Sequence, residues 1–148
     1  MAKQLSILPI LGIALLLNNA CVNYKRTMRI RVISNNCLNT TDYQESLPVL
    51  LRVYQLNDET QFTHASFEQL WKTDANTLGR TFQSRHDYTV YPGEEKKISF
   101  KKESETQYIG VFATFRKPSR EAWRKVVKVP PGLIPSPIVV ELKNNELR

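Results

Sequence analysis

The sequence is poor in the residues from which most catalytic and cofactor sites are built. It has two cysteines, two histidines and five glycines in 148 residues. Two cysteines cannot cross-link a disulfide-dense scaffold. The glycines form neither G-x-G-x-x-G nor G-x-x-x-x-G-K-[ST], so neither kind of phosphate cradle is present. His64 and His86 lie outside any H-E-x-x-H pattern and are not at metal-ligand spacing from a cysteine or from each other. G-x-S-x-G is missing too. His64 reads as a polar loop or cap residue, and His86 beside Asp87 as a strand-face residue. Glu94 and Glu95 run into Lys96 and Lys97, which suggests a solvated hairpin rather than a carboxylate pair for acid–base work. No enzyme is expected from this inventory.

What is present is an ordinary globular composition, 41% hydrophobic and 24% charged, with a net charge of +7. The length suits one domain. No acid occurs before Asp42, and the chain opens Met1-Ala-Lys3 before a thirteen-residue apolar run, Leu5–Leu17. A transmembrane helix needs ~20 apolar residues, so this run is too short to span a bilayer; it fits the h-region of a secretory signal peptide. Ala20 followed by Cys21 points to a lipoprotein leader, because the Cys21 thiol is the group able to take a thioether-linked lipid. Residues 1–20 are then the leader, 21–27 a lipidated tether and 28–148 the folded domain. A plain signal peptide cut near Ala20, or a cytosolic chain with an apolar N-terminal strand, is the competing reading. Removing the leader takes away only Lys3 among charged residues and leaves 128 residues at +6. Cys37 is then a thiol without an intramolecular partner, expected to be buried or half-buried.

The domain reads as short strands around one helical insert. Met28–Ile33 alternates apolar and basic, the period of a half-buried strand. Val49–Leu56, Tyr88–Val90, Lys96–Lys101, Tyr108–Phe115, Val126–Val129 and Ile138–Leu142 complete about seven strands, with Tyr108–Phe115 the most central. Their spacing predicts a mainly β fold, an antiparallel two-sheet sandwich. Ser66 and Gln69 fit a capping box, and Phe67, Leu70, Trp71 and Leu78 form a helical stripe, so residues 66–79 are the insert. Asp74 is placed to cap a second short turn and Gly79 to end it. Pro118–Arg124 has the composition of a further helical turn.

Charge is unevenly spread. Lys25, Arg26, Arg29 and Arg31 form one basic run. Arg116, Lys117, Arg120, Arg124, Lys125 and Lys128 form another, while residues 36–78 carry six acids against two bases. Base-stacking aromatics are not interleaved with these clusters, and a secreted chain does not meet nucleic acid, so a nucleic-acid partner is not expected. A solvated strand face is the plain reading of the first run; contact with anionic headgroups beside the lipid is the sharper one. The polar segment Asn35–Leu47 holds one aromatic, Tyr43, flanked by Asp42 and Glu45. It is either an ordinary solvated loop or an aromatic anchor with a charged rim, the make-up of a small protein interface.

The string Leu51-Arg-Val-Tyr-Gln-Leu56, then Phe62, Ala65, Phe67, Leu70-Trp71, Asp74 and Leu78-Gly79, resembles the TssJ (SciN) family. The likeness continues through Tyr91-Pro-Gly-Glu94, Tyr108-Ile-Gly-Val-Phe-Ala-Thr-Phe-Arg116, Trp123 and Val126, and so covers residues 28–142. The family's lipobox is matched imperfectly, with Asn18 and Asn19 ahead of Ala20. The resemblance implies a transthyretin-like sandwich and a non-enzymatic lipoprotein of the bacterial type VI secretion system. Val22 after Cys21, in place of Asp, implies the periplasmic face of the outer membrane. The implied partner is the C-terminal periplasmic domain of TssM, and the implied contact is the loop between the first two strands. Here that loop offers Asn39, Thr40, Thr41, Asp42, Tyr43, Gln44 and Glu45. No cofactor is expected beyond covalent lipid on Cys21, and no small-molecule substrate. The alternative from the residues alone is a periplasmic small-ligand carrier, which would need a pocket of several hundred Å³ with converging polar groups.

Overall fold

A computed structural model describes residues 26–118, 120–132 and 136–148. The leader and Cys21 lie outside the described residues. The elements in order are β1 (Thr27–Ser34), β2 (Val49–Leu56), α1 (Thr60–His64), α2 (Phe67–Lys72), α3 (Asp74–Leu78), a 3₁₀ turn (Gly79–Thr81), β3 (Phe82–Val90), β4 (Glu95–Lys101), β5 (Tyr108–Ala113), β6 (Arg124–Lys128), β7 (Ile138–Lys143) and β8 (Glu146–Leu147).

They build two four-stranded sheets, β4-β1-β7-β8 and β3-β2-β5-β6. Strand β1 lies antiparallel to β4, with Ile30 opposite Ile98, and parallel to β7, with Ile30 opposite Ile138. The other described pairings are antiparallel. Parallel neighbours need a long crossover, and here the whole second sheet is formed between β1 and β7.

The two sheets differ in how wet they are. In β1 the alternation is strict: Met28, Ile30 and Val32 are buried, while Thr27, Arg29 and Arg31 are exposed. Strand β4 does the same with Ile98 and Phe100, so the first sheet has one dry face and one solvated face. Strands β2 and β5 are buried almost throughout. Their inner residues, among them Leu51, Val53, Ile109 and Val111, close the core against Ile30, Val32, Val140 and Leu142 of the first sheet. Each such side chain contributes roughly 1.5–3 kcal/mol on burial. Their outer residues are covered by the helical insert.

The insert is held by packing and by a polar cluster. Tyr54 of β2 meets Phe62 of α1 with ring centroids 5.6 Å apart, and Phe67, Phe112 and Trp123 form a second aromatic group. Gly110 of β5 makes this approach possible: a Cβ there would sit 3.0 Å from the Phe62 ring. The capping box is formed, Ser66 and Gln69 satisfying each other's backbone N–H. Gly79 ends α3 with a φ of 52°.

Four expectations need correcting. An additional helix, Thr60–His64, precedes the one that starts after Ser66. Strand β3 begins at Phe82 and runs nine residues, because its polar edge sequence Gln83-Ser84-Arg85-His86-Asp87 hides the alternation. Residues 120–123 are turn rather than helix, with Arg120 at a φ of 48° that no helix accommodates. Cys37 is exposed, because the chain turns at Asn36-Cys37 and sends Leu38 into the core instead.

Candidate functional site

Strand β1 leads from Thr27 to the loop of residues 35–48. Eight residues at about 3.3 Å each make it about 25 Å long, so Thr27 and the loop sit at opposite ends of the sandwich. The connections β3–β4, β5–β6 and β7–β8 reach the loop end as well. They brace the loop: Ser34 N–H donates to Glu94 O at 2.9 Å, Gly93 N–H to Asn35 O at 3.0 Å, and Asn35 and Asn144 exchange bonds at 3.0 and 3.1 Å. Gly93 has a φ of 72°, and a Cβ there would lie 2.3 Å from Asn36 Oδ1, so the β3–β4 turn and the loop fit only because that residue is glycine.

Within the loop, burial and exposure alternate by function. Leu38 is fully buried and acts as its plug. Asn39 is only 4% exposed, with a φ of 48°. Its N–H donates to Asn144 O at 2.8 Å, its Nδ2 to Pro48 O at 3.1 Å, and its Oδ1 accepts from Arg116 N–H at 2.8 Å. Asn39 is therefore a framework residue removed from the surface. Leu47 N–H to Leu38 O and Thr41 N–H to Glu45 O close the two arms on each other. The Thr41 hydroxyl accepts from the N–H groups of Tyr43 and Glu45 at 3.2 Å. Thr40 links the buried base to this tip, and Gln44 turns the chain back at a φ of 64°.

The tip thus presents Asp42, Tyr43, Gln44 and Glu45 to solvent. Tyr43 is 87% exposed, the most exposed of the large hydrophobic side chains described. Lys117 pairs with Asp42, and its hydrogen bond and charge hold that carboxyl below the usual aspartate value. Tyr91, also exposed, stands in the adjoining β3–β4 turn. The sequence reading missed Tyr91 as a member of this end and missed Asn39 as its support. The lone Leu38 in a polar stretch was the available signal that the loop is pinned.

The remaining charged clusters divide between framework and surface. Arg26 donates to the carbonyls of Gly132 and Pro130 at 2.6 and 2.7 Å. Arg31 makes a bidentate pair with Glu95 at 2.8 and 3.1 Å. Arg124 clamps the insert through Phe62 O and Ala65 O.

Asp74 is the first residue of α3, one past the N-cap position at Thr73, and its Oδ1 accepts from the Ala75 N–H at 2.8 Å. Its Oδ2 accepts from Tyr54 Oη at 2.9 Å and from Arg85 at 2.7 Å, with Arg52 at 3.6 Å. Burial raises the Asp74 carboxyl, but the bonds from Arg85 and Tyr54 outweigh it and leave the group below its ordinary value of 3.8. Burial first, then the Asp74 hydrogen bond and charge, pushes the Tyr54 phenol up. An ionised acid locked between two guanidinium groups is a clamp between sheet and insert, not a proton donor. His86 stacks on Phe100 at 4.9 Å, and His64 Nδ1 meets Thr60 O at 2.8 Å. Among the described residues, no three His, Cys, Asp or Glu gather as a metal site requires.

The family model described as "Type VI secretion lipoprotein, VasD, EvfM, TssJ, VC_A0113" matches residues 26–145. No curated protein sequence matches the chain. The fold is similar to that of the T6SS lipoprotein TssJ1 from Pseudomonas aeruginosa, with a TM-score of 0.77, 27% identity, and coverage of 84% of this chain and 94% of that one. A chain of a type VI membrane complex is similar at a TM-score of 0.76 and 25% identity, covering 84% of this chain and 97% of that one. A chain in a structure of the T6SS protein TssM C-terminal domain from EAEC shares the fold at a TM-score of 0.72 and 23% identity, covering 83% and 96%. The family is a structural lipoprotein component and not an enzyme. A braced loop end, a covered outer sheet face and a family match across residues 26–145 agree: this chain belongs to the TssJ family of type VI secretion lipoproteins.

Proposed function

We propose that this lipoprotein is held at the periplasmic face of the outer membrane by lipid on Cys21. Its opposite end binds the C-terminal periplasmic domain of the inner-membrane protein TssM, joining the two membranes in the secretion complex. The observation that carries the reading is the polarity of β1. The strand starts where the proposed anchor segment joins the domain and ends at the loop, so residues 39–45 lie about 25 Å along the strand from that junction, at the opposite end of the sandwich. The similarity to a chain of a type VI membrane complex supports a role in assembly, and the same fold in a structure of the TssM C-terminal domain supports the choice of partner. Tyr43 is the anchor, with Asp42, Gln44 and Glu45 as its rim; Thr40 and Thr41 shape the tip, and Asn39 fixes it from below.

The test is co-purification of the TssM domain with the double variant Asp42→Ala, Tyr43→Ala. Both side chains are exposed, so the fold survives while capture is lost. Undiminished capture by a folded double variant refutes the assignment of the loop. Palmitate labelling with and without Cys21→Ser tests the anchor separately; equal labelling of the two refutes it.

A further inference from the structure

The outer face of the second sheet is covered by the insert, whereas the outer face of the first is open. On that open face Arg29 and Arg31 of β1 and Lys97 and Lys101 of β4 form a basic patch that reaches from the Thr27–Lys101 end to mid-strand, bounded toward the loop end by Glu95, the bidentate partner of Arg31. Beyond it, on β7 and the chain end, the charges are mixed: Glu141 and Lys143 lie opposite Arg148 and Glu146, and Arg148 pairs with Glu146. A groove of about 330 Å³ runs between the basic side chains, with Ser99 and Pro137 in its wall. The basic run in the sequence gave only part of this patch. Arg26 is turned to backbone carbonyls, and its place is taken by Lys97 and Lys101, brought beside Arg31 and Thr27 by the β1–β4 register.

We infer that this half-face is a second membrane contact, docking on phosphate-bearing anionic lipid headgroups of the leaflet that holds the anchor. Three arguments select that occupant. The patch carries four cations against one acid. Cys21 lies six residues before Thr27, a span of at most about 20 Å, so a lipid there keeps the patch close to the surface. Charges interact across about 8–10 Å of salt solution, so proximity matters as much as sign. The contact would fix which face of the sandwich turns to the bilayer, with the loop tip, beyond the far end of β1, clear of the patch. The inference builds on the proposed anchoring, but its test needs no anchor.

Among the described residues, every buried core side chain lies between Met28 and Leu147, so a chain of residues 22–148 keeps all of them and can be studied without lipid. Flotation with phosphatidylcholine vesicles, with and without one-third phosphatidylglycerol, measures binding. Binding to the anionic vesicles alone, weakened by salt, is expected. Each basic residue at an anionic surface is worth about fivefold in partitioning, the equivalent of about 1 kcal/mol. The triple variant Arg29→Gln, Lys97→Gln, Lys101→Gln should therefore bind about a hundredfold more weakly, and the pair on edge strand β4 alone about thirtyfold. A control with the same charge change elsewhere, Arg80→Gln, Arg120→Gln, Lys128→Gln, should stay within a few-fold of the parent. Absence of anionic-vesicle binding by the parent, parent-like binding by the triple variant, or equal loss in the control overturns the inference. Failed palmitate labelling at Cys21 would instead count against the anchor and leave this result standing.

Discussion

Replacing Asn39 with alanine removes a side chain that touches no exposed surface yet sets the geometry of the loop. Two hydrogen bonds go, leaving the Arg116 N–H and the Pro48 carbonyl without their partner. Both are only part-buried, so each loss costs about 1 kcal/mol, the lower end for an unsatisfied group. The backbone adds to this: φ is 48°, a left-handed conformation costing about 1 kcal/mol more for alanine than for asparagine. The sum is about 3 kcal/mol. If the loop unfolds only with the whole domain, melting falls by about 10 °C. If the loop releases first, the cost appears there, as lost hydrogen-exchange protection at the Leu47 amide, which donates to Leu38 O. Asn39→Gly separates the terms, since glycine accepts the positive φ and should cost about 2 kcal/mol. In either case the partner must order a looser loop, and capture should weaken about tenfold or more. Parent-like melting, Leu47 protection and capture in both variants would refute the argument that Asn39 organises the site.

Tyr43→Ala alone should weaken TssM-domain binding by about 2 kcal/mol or more, the range of a central aromatic anchor, with no change in melting temperature; titration calorimetry checks both the affinity and the integrity of the site. Gly110→Ala pushes a methyl to 3.0 Å from Phe62 and 3.1 Å from Leu56, and overpacking should cost about 1–3 kcal/mol, read by chemical denaturation. Asp74→Asn should cost about 2 kcal/mol by unpairing Arg85 and Tyr54. The pH dependence follows from the lowered Asp74 carboxyl. Its stabilisation is fully present above the unfolded value of 3.8 and is lost as pH falls through the lower folded value. The parent should therefore lose this increment below about pH 4, and the asparagine variant should not, as followed by melting across an acid series.

Much of the sandwich was legible because its signals are local. Alternation in Met28–Ile33 marked a strand with one wet face, and Ser66 with Gln69 marked a helix start. Strand β3 was only partly legible. Only Tyr88–Val90 read as strand, since what holds the preceding polar residues is not local: Arg85 pairs with Asp74, a residue eleven positions away that only the folded insert brings near. The loop was visible as a polar segment with one aromatic, but which of its residues are surface and which are support depended on contacts with residues 116 and 144.

The sequence by itself determined the faces of strands such as Met28–Ile33, the capping box and the expectation of a lipid-anchored leader, because each depends on residues close together in the chain; the family likeness rests on the spacing of many such residues. The tertiary structure decided what depends on distant partners. It buried Asn39, exposed Tyr43 and Tyr91 at one end of the sandwich, gave Asp74 an ionic clamp besides its bond to the start of α3, and joined the basic residues of β1 to those of β4 on one open face. Register and sheet order bring such residues together, and neither is written in any short stretch of chain.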